Sequence, residues 1–176
     1  ELIVDEVSDG VIFDEGGLKI TAFPVEHMPI DMASGEVLGL RGETIGFRMD
    51  YKGHSVLFSG DTRSTEQSEI NNVGKDIDLL IHEVQVPSPG ATPEADLANV
   101  SLSVHSTPQQ AGLVFEATKP KMAVYSHIIP PGITADDLEV ATRPYYKGPM
   151  TVAHDFMEIT LSGEDIIIGE RLKQSD

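Results

Sequence analysis

The sequence LFSGDT at residues 57–62 places a carboxylate, Asp61, directly behind a short apolar run. Residues 51–54, Tyr-Lys-Gly-His, have the composition of a tight turn. Residues 44–49 and 55–58 are therefore predicted to pair as a hairpin across that turn. The second strand of this hairpin ends at a side chain of catalytic type.

The same arrangement recurs along the chain, where three further apolar runs each lead to an imidazole or a carboxylate. The runs are residues 18–25, 78–81 and 122–125, and they lead to His27, Glu83 and His127. Strands covered on both faces have such runs, and open α/β sheets gather their functional groups at strand ends. One such side chain alone is more often a hydrogen-bonded core residue, whereas four together predict a shared site.

Helix signals separate the later strands. Thr107 and Pro108 have the pattern of an N-cap followed by proline at the first helical position, which predicts a helix to about residue 118. A second helix is predicted at residues 135–141, and strands at 150–152, 156–161 and 166–168. Strands that alternate with helices indicate a layered α/β architecture.

Composition limits the function classes. A chain of 176 residues with 40% apolar residues can bury one sizeable core, and we treat 1–176 as a single domain. With 29 acidic and 12 basic residues the net charge is −17, which disfavours nucleic acid as a partner. No apolar run is long enough to span a bilayer. The absence of cysteine excludes disulfides and thiolate ligands and leaves the compartment open.

The strings FPVEH, LFSGDT, DLLIHEV, VHSTPQQAG and AVYSH together resemble the second half of the metallo-β-lactamase superfamily. The similarity is strongest to ribonuclease Z-like members and to related phosphodiesterase or arylsulfatase-like members. It covers nearly the whole chain. It implies half of an αββα sandwich, with a mixed sheet and flanking helices.

The resemblance also implies roles for particular residues. His27 matches a ligand of one metal, Asp61 the carboxylate that bridges two metals, and His127 a ligand of the second metal. Imidazole and carboxylate donors without thiolate suit zinc, with manganese or iron as alternatives. His105 matches a histidine that assists proton transfer or holds the oxyanion, and Glu83 matches the glutamate beside it. Because His105 precedes a helix N-terminus, the helix dipole there favours a bound anion.

One hallmark of the family is missing from the 176 residues, because the HxHxDH motif does not occur in them. Each metal would then have one terminal ligand and the bridge, whereas a catalytic zinc normally has three protein ligands. A fragment, a split protein and a degenerate binding domain are the three explanations, and intact ligands favour the fragment. An uncovered apolar sheet face would need the missing N-terminal half, a second chain or another copy of this chain.

The expected function is therefore metal-dependent hydrolysis of a small anionic ester, a phosphodiester or a sulfate ester, through a metal-activated hydroxide. The chain alone is expected to be inactive. The alternatives are a non-catalytic binding domain and a tRNA-processing endonuclease, the latter disfavoured by the charge. Three side chains are predicted to line the substrate pocket, namely Arg143, Tyr145 and Tyr146. His54 and His154 are interpreted as surface or structural residues, and His82 as pointing away from the site.

Overall fold

A seven-stranded mixed sheet, in the order β1 to β7, forms the centre of the computed structural model, which describes residues 6–27, 44–87 and 104–170. Its strands are β1 (Gly10–Glu15), β2 (Leu18–Pro24), β3 (Ile45–Tyr51), β4 (His54–Phe58), β5 (Leu79–Gln85), β6 (Met122–Ile129) and β7 (Met150–Val152). Neighbours from β1 to β4 are antiparallel, and those from β4 to β7 are parallel. A separate antiparallel hairpin consists of β8 (Met157–Ser162) and β9 (Asp165–Glu170).

Helices occupy the crossovers between the parallel strands, as parallel pairing requires. They are α1 (Ile70–Val73), α2 (Pro108–Thr118) and α3 (Ala135–Thr142), and they contact one another in a row on one face of the sheet. A capping box starts α2: the Thr107 hydroxyl accepts from the Gln110 amide, while the Gln110 side chain accepts from the Thr107 amide. The predicted start and end of this helix are confirmed.

The β3–β4 turn follows from its two central residues. Lys52 and Gly53 both have positive φ angles, 49° and 84°, which a two-residue hairpin turn of this hand requires. The predicted hairpin is therefore confirmed. It directs β4 towards the parallel half of the sheet, so that Asp61 follows the carboxyl end of β4.

The core lies between the sheet and its helices. Its fully buried large side chains include Leu57 of β4, Leu80 of β5, Phe115 of α2 and Tyr125 of β6. Tyr125 shares a hydrogen bond of 2.8 Å between its hydroxyl and that of Thr142 at the end of α3. This face is closed by the protein's own helices.

The opposite face is only partly covered. Met49, Val56 and Leu161 of β8 line a cavity of about 580 Å³ over β3 and β4, and Phe58 is 38% exposed. Lys121 holds the tip of the β8–β9 hairpin, because its ammonium lies 2.8 Å from the Glu164 carboxylate and 2.9 Å from that of Asp78. The α/β prediction with a mixed sheet and flanking helices is confirmed. Among the described helices, none is long and apolar enough to cross a membrane.

Candidate metal centre

Asp61 lies between two histidines at the carboxyl edge of the sheet. Its Oδ2 is 3.9 Å from Nε2 of His27 and 3.4 Å from Nε2 of His127. Two ligands of one tetrahedral zinc, each about 2 Å from the ion, lie roughly 3.4 Å apart. The donor set and spacing therefore fit one carboxylate oxygen shared by two ions, with one imidazole for each.

Backbone contacts hold His27 and Asp61 side by side. The amide of Glu26 donates to the Thr62 hydroxyl at 3.1 Å, and the amide of Arg63 donates to the Glu26 carbonyl at 2.8 Å. These two bonds join the end of β2 to the loop behind β4. The residues flanking both predicted ligands are thereby fixed to each other across the sheet.

A bulge in β6 brings His127 into the site. His82 pairs with Tyr125 and Val84 with Ile128, so two residues of β6 stand opposite Glu83 alone. His127 is the second of these two and has a φ of 46°, in the left-handed region that non-glycine residues seldom adopt. Bulges re-aim side chains in this way beside functional sites.

Glu83 links the loops that carry Asp61 and His105. Its Oε1 accepts from the amides of Thr62, at 3.2 Å, and Ser106, at 2.8 Å. Its Oε2 lies 3.3 Å from Nδ1 of His105, and neither of these two atoms has a hydrogen-bond partner elsewhere among the described residues. Glu83 is only 4% exposed, so its carboxyl group orients His105 from inside the protein.

Burial sets the protonation of this pair in the metal-free protein. Burial raises the pKa of Glu83 to about 8, although the amides of Ser106 and Thr62 oppose this shift. Burial also lowers the pKa of His105, while the nearby Asp61 carboxylate raises it. At neutral pH both groups therefore favour their uncharged forms, and the contact between them is a neutral one.

His105 lies among the predicted ligands. Its ring centroid is 5.0 Å from that of His27 and 5.8 Å from that of His127. One donor atom each of His27, Asp61 and His105 lie within 4.8 Å of one another. The structure thus brings together all five side chains predicted for metal binding and catalysis, namely His27, Asp61, Glu83, His105 and His127.

The three predicted substrate-binding side chains lie elsewhere. Tyr146 is buried, and its hydroxyl donates to the Pro120 carbonyl at 3.4 Å. Because Pro120 precedes β6, it stands on the order of 20 Å from His127 along the strand. Arg143 pairs with Glu139 at 2.8 Å and donates to the Gly148 carbonyl, and Tyr145 packs against α2. The geometry does not bring Arg143, Tyr145 and Tyr146 to the metal centre.

The remaining histidines have the positions expected for them. His54 begins β4 at the opposite end from Asp61, and His154 pairs with Glu170 at the surface. His82 points into the helix-covered core, where burial lowers its pKa to about 4. Sequence reasoning missed Ser64, which contacts His82, and Ser106, which accepts from the Ser64 amide, because neither serine has a distinctive spacing.

Comparison with known proteins places these features in a family. Residues 4–128 match the Beta-lactamase superfamily domain. The chain therefore belongs to the β-lactamase superfamily, and it has the fold of the metallo-β-lactamases. In structure it is similar to the metallo-β-lactamase fold protein YhfI of Bacillus subtilis, with a TM-score of 0.61 and 16% identity over 85% of this chain and 52% of that chain.

Among curated relatives, the chain is similar to ribonucleases Z. It is 29% identical to the enzyme of Mycobacterium avium over 72% of this chain and 41% of the relative. Against the Bacillus subtilis enzyme it is 29% identical over 91% of this chain and 62% of the relative. The human short-form tRNase Z shares the fold at a TM-score of 0.54, with 21% identity over 84% of this chain and 44% of that chain. The chain thus spans less than two thirds of each of these relatives.

Proposed function

We propose that this chain supplies the second half of the active site of a metal-dependent phosphodiesterase. One observation carries the proposal: a single oxygen of Asp61 lies between nitrogens of His27 and His127. Phosphodiester hydrolysis uses such paired sites, in which one carboxylate bridges two ions.

The donor set favours zinc at both positions. Two divalent ions would lower the pKa of a water molecule and polarise the phosphoryl oxygen. His27, Asp61 and His127 would hold the ions together with ligands from outside these residues. An HxHxDH segment, in the same protein or on a second chain, is the proposed source of those ligands.

His105 would serve the leaving oxygen. Its Nδ1 faces the Glu83 carboxyl group, so the uncharged ring would carry its proton on Nε2 and would give it to the departing alkoxide, while Glu83 would pass its own proton to Nδ1. Glu83 fixes the imidazole tautomer and orientation from the buried side. Since His105 precedes the N-terminus of α2, the helix dipole adds attraction for the anionic phosphoryl group.

A small phosphodiester is the proposed substrate. The net charge of −17 offers no general attraction to a polyanion. Similarity to ribonucleases Z favours precursor RNA as the second candidate, and it would then need a basic surface outside this chain. Both candidate substrates are phosphorus esters. The sulfate-ester alternative is not supported by any of the relatives described above.

The test uses the complete enzyme, loaded with zinc, on a chromogenic phosphodiester, an aryl sulfate and precursor tRNA over a salt series. We expect turnover of the phosphodiester with a shallow dependence on salt, because only one charged group meets the site. Fast cleavage of tRNA with a steep salt slope would establish the second candidate. A zinc-loaded enzyme that cleaves none of the phosphorus esters would overturn the proposal.

A further inference from the structure

We propose that His82 and Ser64 form a buried brace that positions Asp61 and His105 for the reaction proposed above. The His82 ring is fully buried on the helix side of β5, at right angles to the ring of Phe115. Its Nε2 lies 3.1 Å from the Ser64 hydroxyl, and its Nδ1 lies 2.6 Å from the Glu83 carbonyl. His82 is a positioning residue in this assignment, because it would act through the Ser64 hydroxyl and the Glu83 carbonyl.

The proton positions in the brace follow from its partners. A carbonyl only accepts, so Nδ1 of His82 carries the proton and donates to the Glu83 carbonyl. In the neutral ring Nε2 is then an acceptor, and the Ser64 hydroxyl donates to it. Of the two neutral tautomers, only this one satisfies both contacts.

The brace continues into the loops of the site. The Ser64 amide donates to the Ser106 hydroxyl at 2.9 Å, and that hydroxyl donates to the Thr62 carbonyl at 2.6 Å. The amides of Thr62 and Ser106 in turn donate to Glu83. Two adjacent residues of β5 therefore hold the same two loops from opposite faces of the sheet.

The hydrogen-bonded residues of these loops are next in sequence to the side chains proposed to act in the reaction. Thr62 follows Asp61, and Ser106 precedes α2 directly after His105. Thr62, Ser64 and Ser106 are each at most 1% exposed, so water cannot replace a lost bond without local opening. Loss of the His82 acceptor would loosen both the loop that carries Asp61 and the loop that carries His105. The range of distances between these two side chains would then widen.

The experiment compares His82→Leu, Ser64→Ala and His82→Gln in the complete enzyme. Leucine removes the acceptor, alanine removes the donor, and the glutamine oxygen can take the place of Nε2. Thr142→Val is the matched control, because it deletes a buried hydrogen bond, to Tyr125, that lies in the core of α3 and β6. Readouts are kcat and KM, the visible spectrum of the cobalt-substituted protein, and amide hydrogen exchange in residues 62–65 and 105–107.

We expect His82→Leu and Ser64→Ala to lower kcat about 10- to 100-fold with little change in KM, as partners of ligating residues do. Cobalt bands should shift and exchange should accelerate in both loops. His82→Gln should recover most of kcat, and Thr142→Val should change none of these readouts. Unchanged spectra and exchange in folded His82→Leu, or no recovery with glutamine, would overturn the brace. Spectra and exchange test it even if the enzyme cleaves no phosphodiester.

Discussion

Asp61 is the residue on which the proposed centre depends, because one of its oxygens is shared between two histidines. A terminal ligand can be lost while its ion keeps other donors, but loss of the bridge affects both ions. His54 begins β4, at the opposite end of the strand from Asp61. Substitution of Asp61 and substitution of His54 can therefore be compared within one strand and the loop that follows it.

Asp61→Ala in the complete enzyme is expected to reduce kcat/KM at least about 10³-fold and to lower metal content, whereas His54→Ala should stay within about threefold of wild type. Steady-state kinetics and metal analysis on both variants check this. Similar losses in the two variants would show that the ligand assignment is mistaken.

His82 gives the metal-free protein a specific acid sensitivity. Its folded pKa of about 4 is below the unfolded value of 6.5, so the unfolded state binds the extra proton first. Stability therefore falls as pH drops from about 6.5 towards 4, by up to about 3 kcal/mol. Glu83, with its raised pKa, produces the opposite slope between about 4.5 and 8.

Because the pH ranges of the His82 and Glu83 effects overlap, the contribution of His82 is measured as the difference in stability between two proteins. Urea unfolding of wild type and His82→Gln at several pH values should show the wild type losing more stability than the variant below pH 6.5. Parallel curves for the two proteins would mean that His82 is not held neutral in the fold.

Sequence alone identified the ligand residues better than their surroundings. His27, Asp61 and His127 follow apolar runs in strings with a family resemblance, and the structure brings them together. Glu83 was as compatible with a solvated loop as with a site, because its burial depends on residues far along the chain. The link from His82 to Ser64 requires a contact between two loops, which no local pattern encodes.

At the scale of elements, prediction succeeded where local chemistry decides. The start of α2 follows from Thr107 and Pro108, and the β3–β4 turn from Lys52 and Gly53. Strands β5 and β6 each extend four residues beyond their apolar runs, over residues 82–85 and 126–129. In β5 the added polar residues His82 and Glu83 have buried partners, Ser64 for His82 and the amide of Ser106 for Glu83. The strand β1 and the short helix α1 were missed, since β1 is mostly exposed and α1 is a single turn.

Gly46 of β3 leaves no room for a side chain beside its neighbours on β2 and β4. A Cβ at this position would lie 2.5 Å from the ring of Phe23 on β2 and 2.9 Å from the Phe58 carbonyl oxygen. Gly46→Ala is expected to destabilise the fold by about 1–3 kcal/mol through overpacking. Thermal or urea unfolding measures the change.

Gly169→Ala in β9 is the matched control, because its added Cβ would meet nothing within 4 Å. It should be neutral or slightly stabilising, as alanine restricts the unfolded chain. Equal destabilisation by both substitutions would contradict the packing argument for Gly46.

For the molecule as a whole, the sheet has one face covered by helices and one partly open face. Met49, Val56 and Phe58 lie on the open face, and we propose that a further segment packs there. The same segment is proposed to bring the remaining metal ligands. Completion of the core and completion of the site would then be one event.

Residues 1–176 alone are expected to bind zinc weakly and below two ions per chain, because each ion would have too few protein ligands. Addition of the HxHxDH segment, in the same polypeptide or as a separate chain, should restore two tightly bound ions. Equilibrium dialysis with metal analysis measures the number of bound zinc ions per chain and their affinity. Two tightly held ions on the isolated chain would show that the ligand count is complete without it.

The ligands lie within or just beyond three strands that are distant in the chain, at residues 27, 61 and 127. Their meeting requires non-local pairing across the sheet, which is slow to form and largely complete only late in folding. A metal ion has no assembled site to bind before that stage, so it cannot nucleate the chain. Metal should therefore leave the refolding rate almost unchanged and act on the lifetime of the native state, by slowing its unfolding.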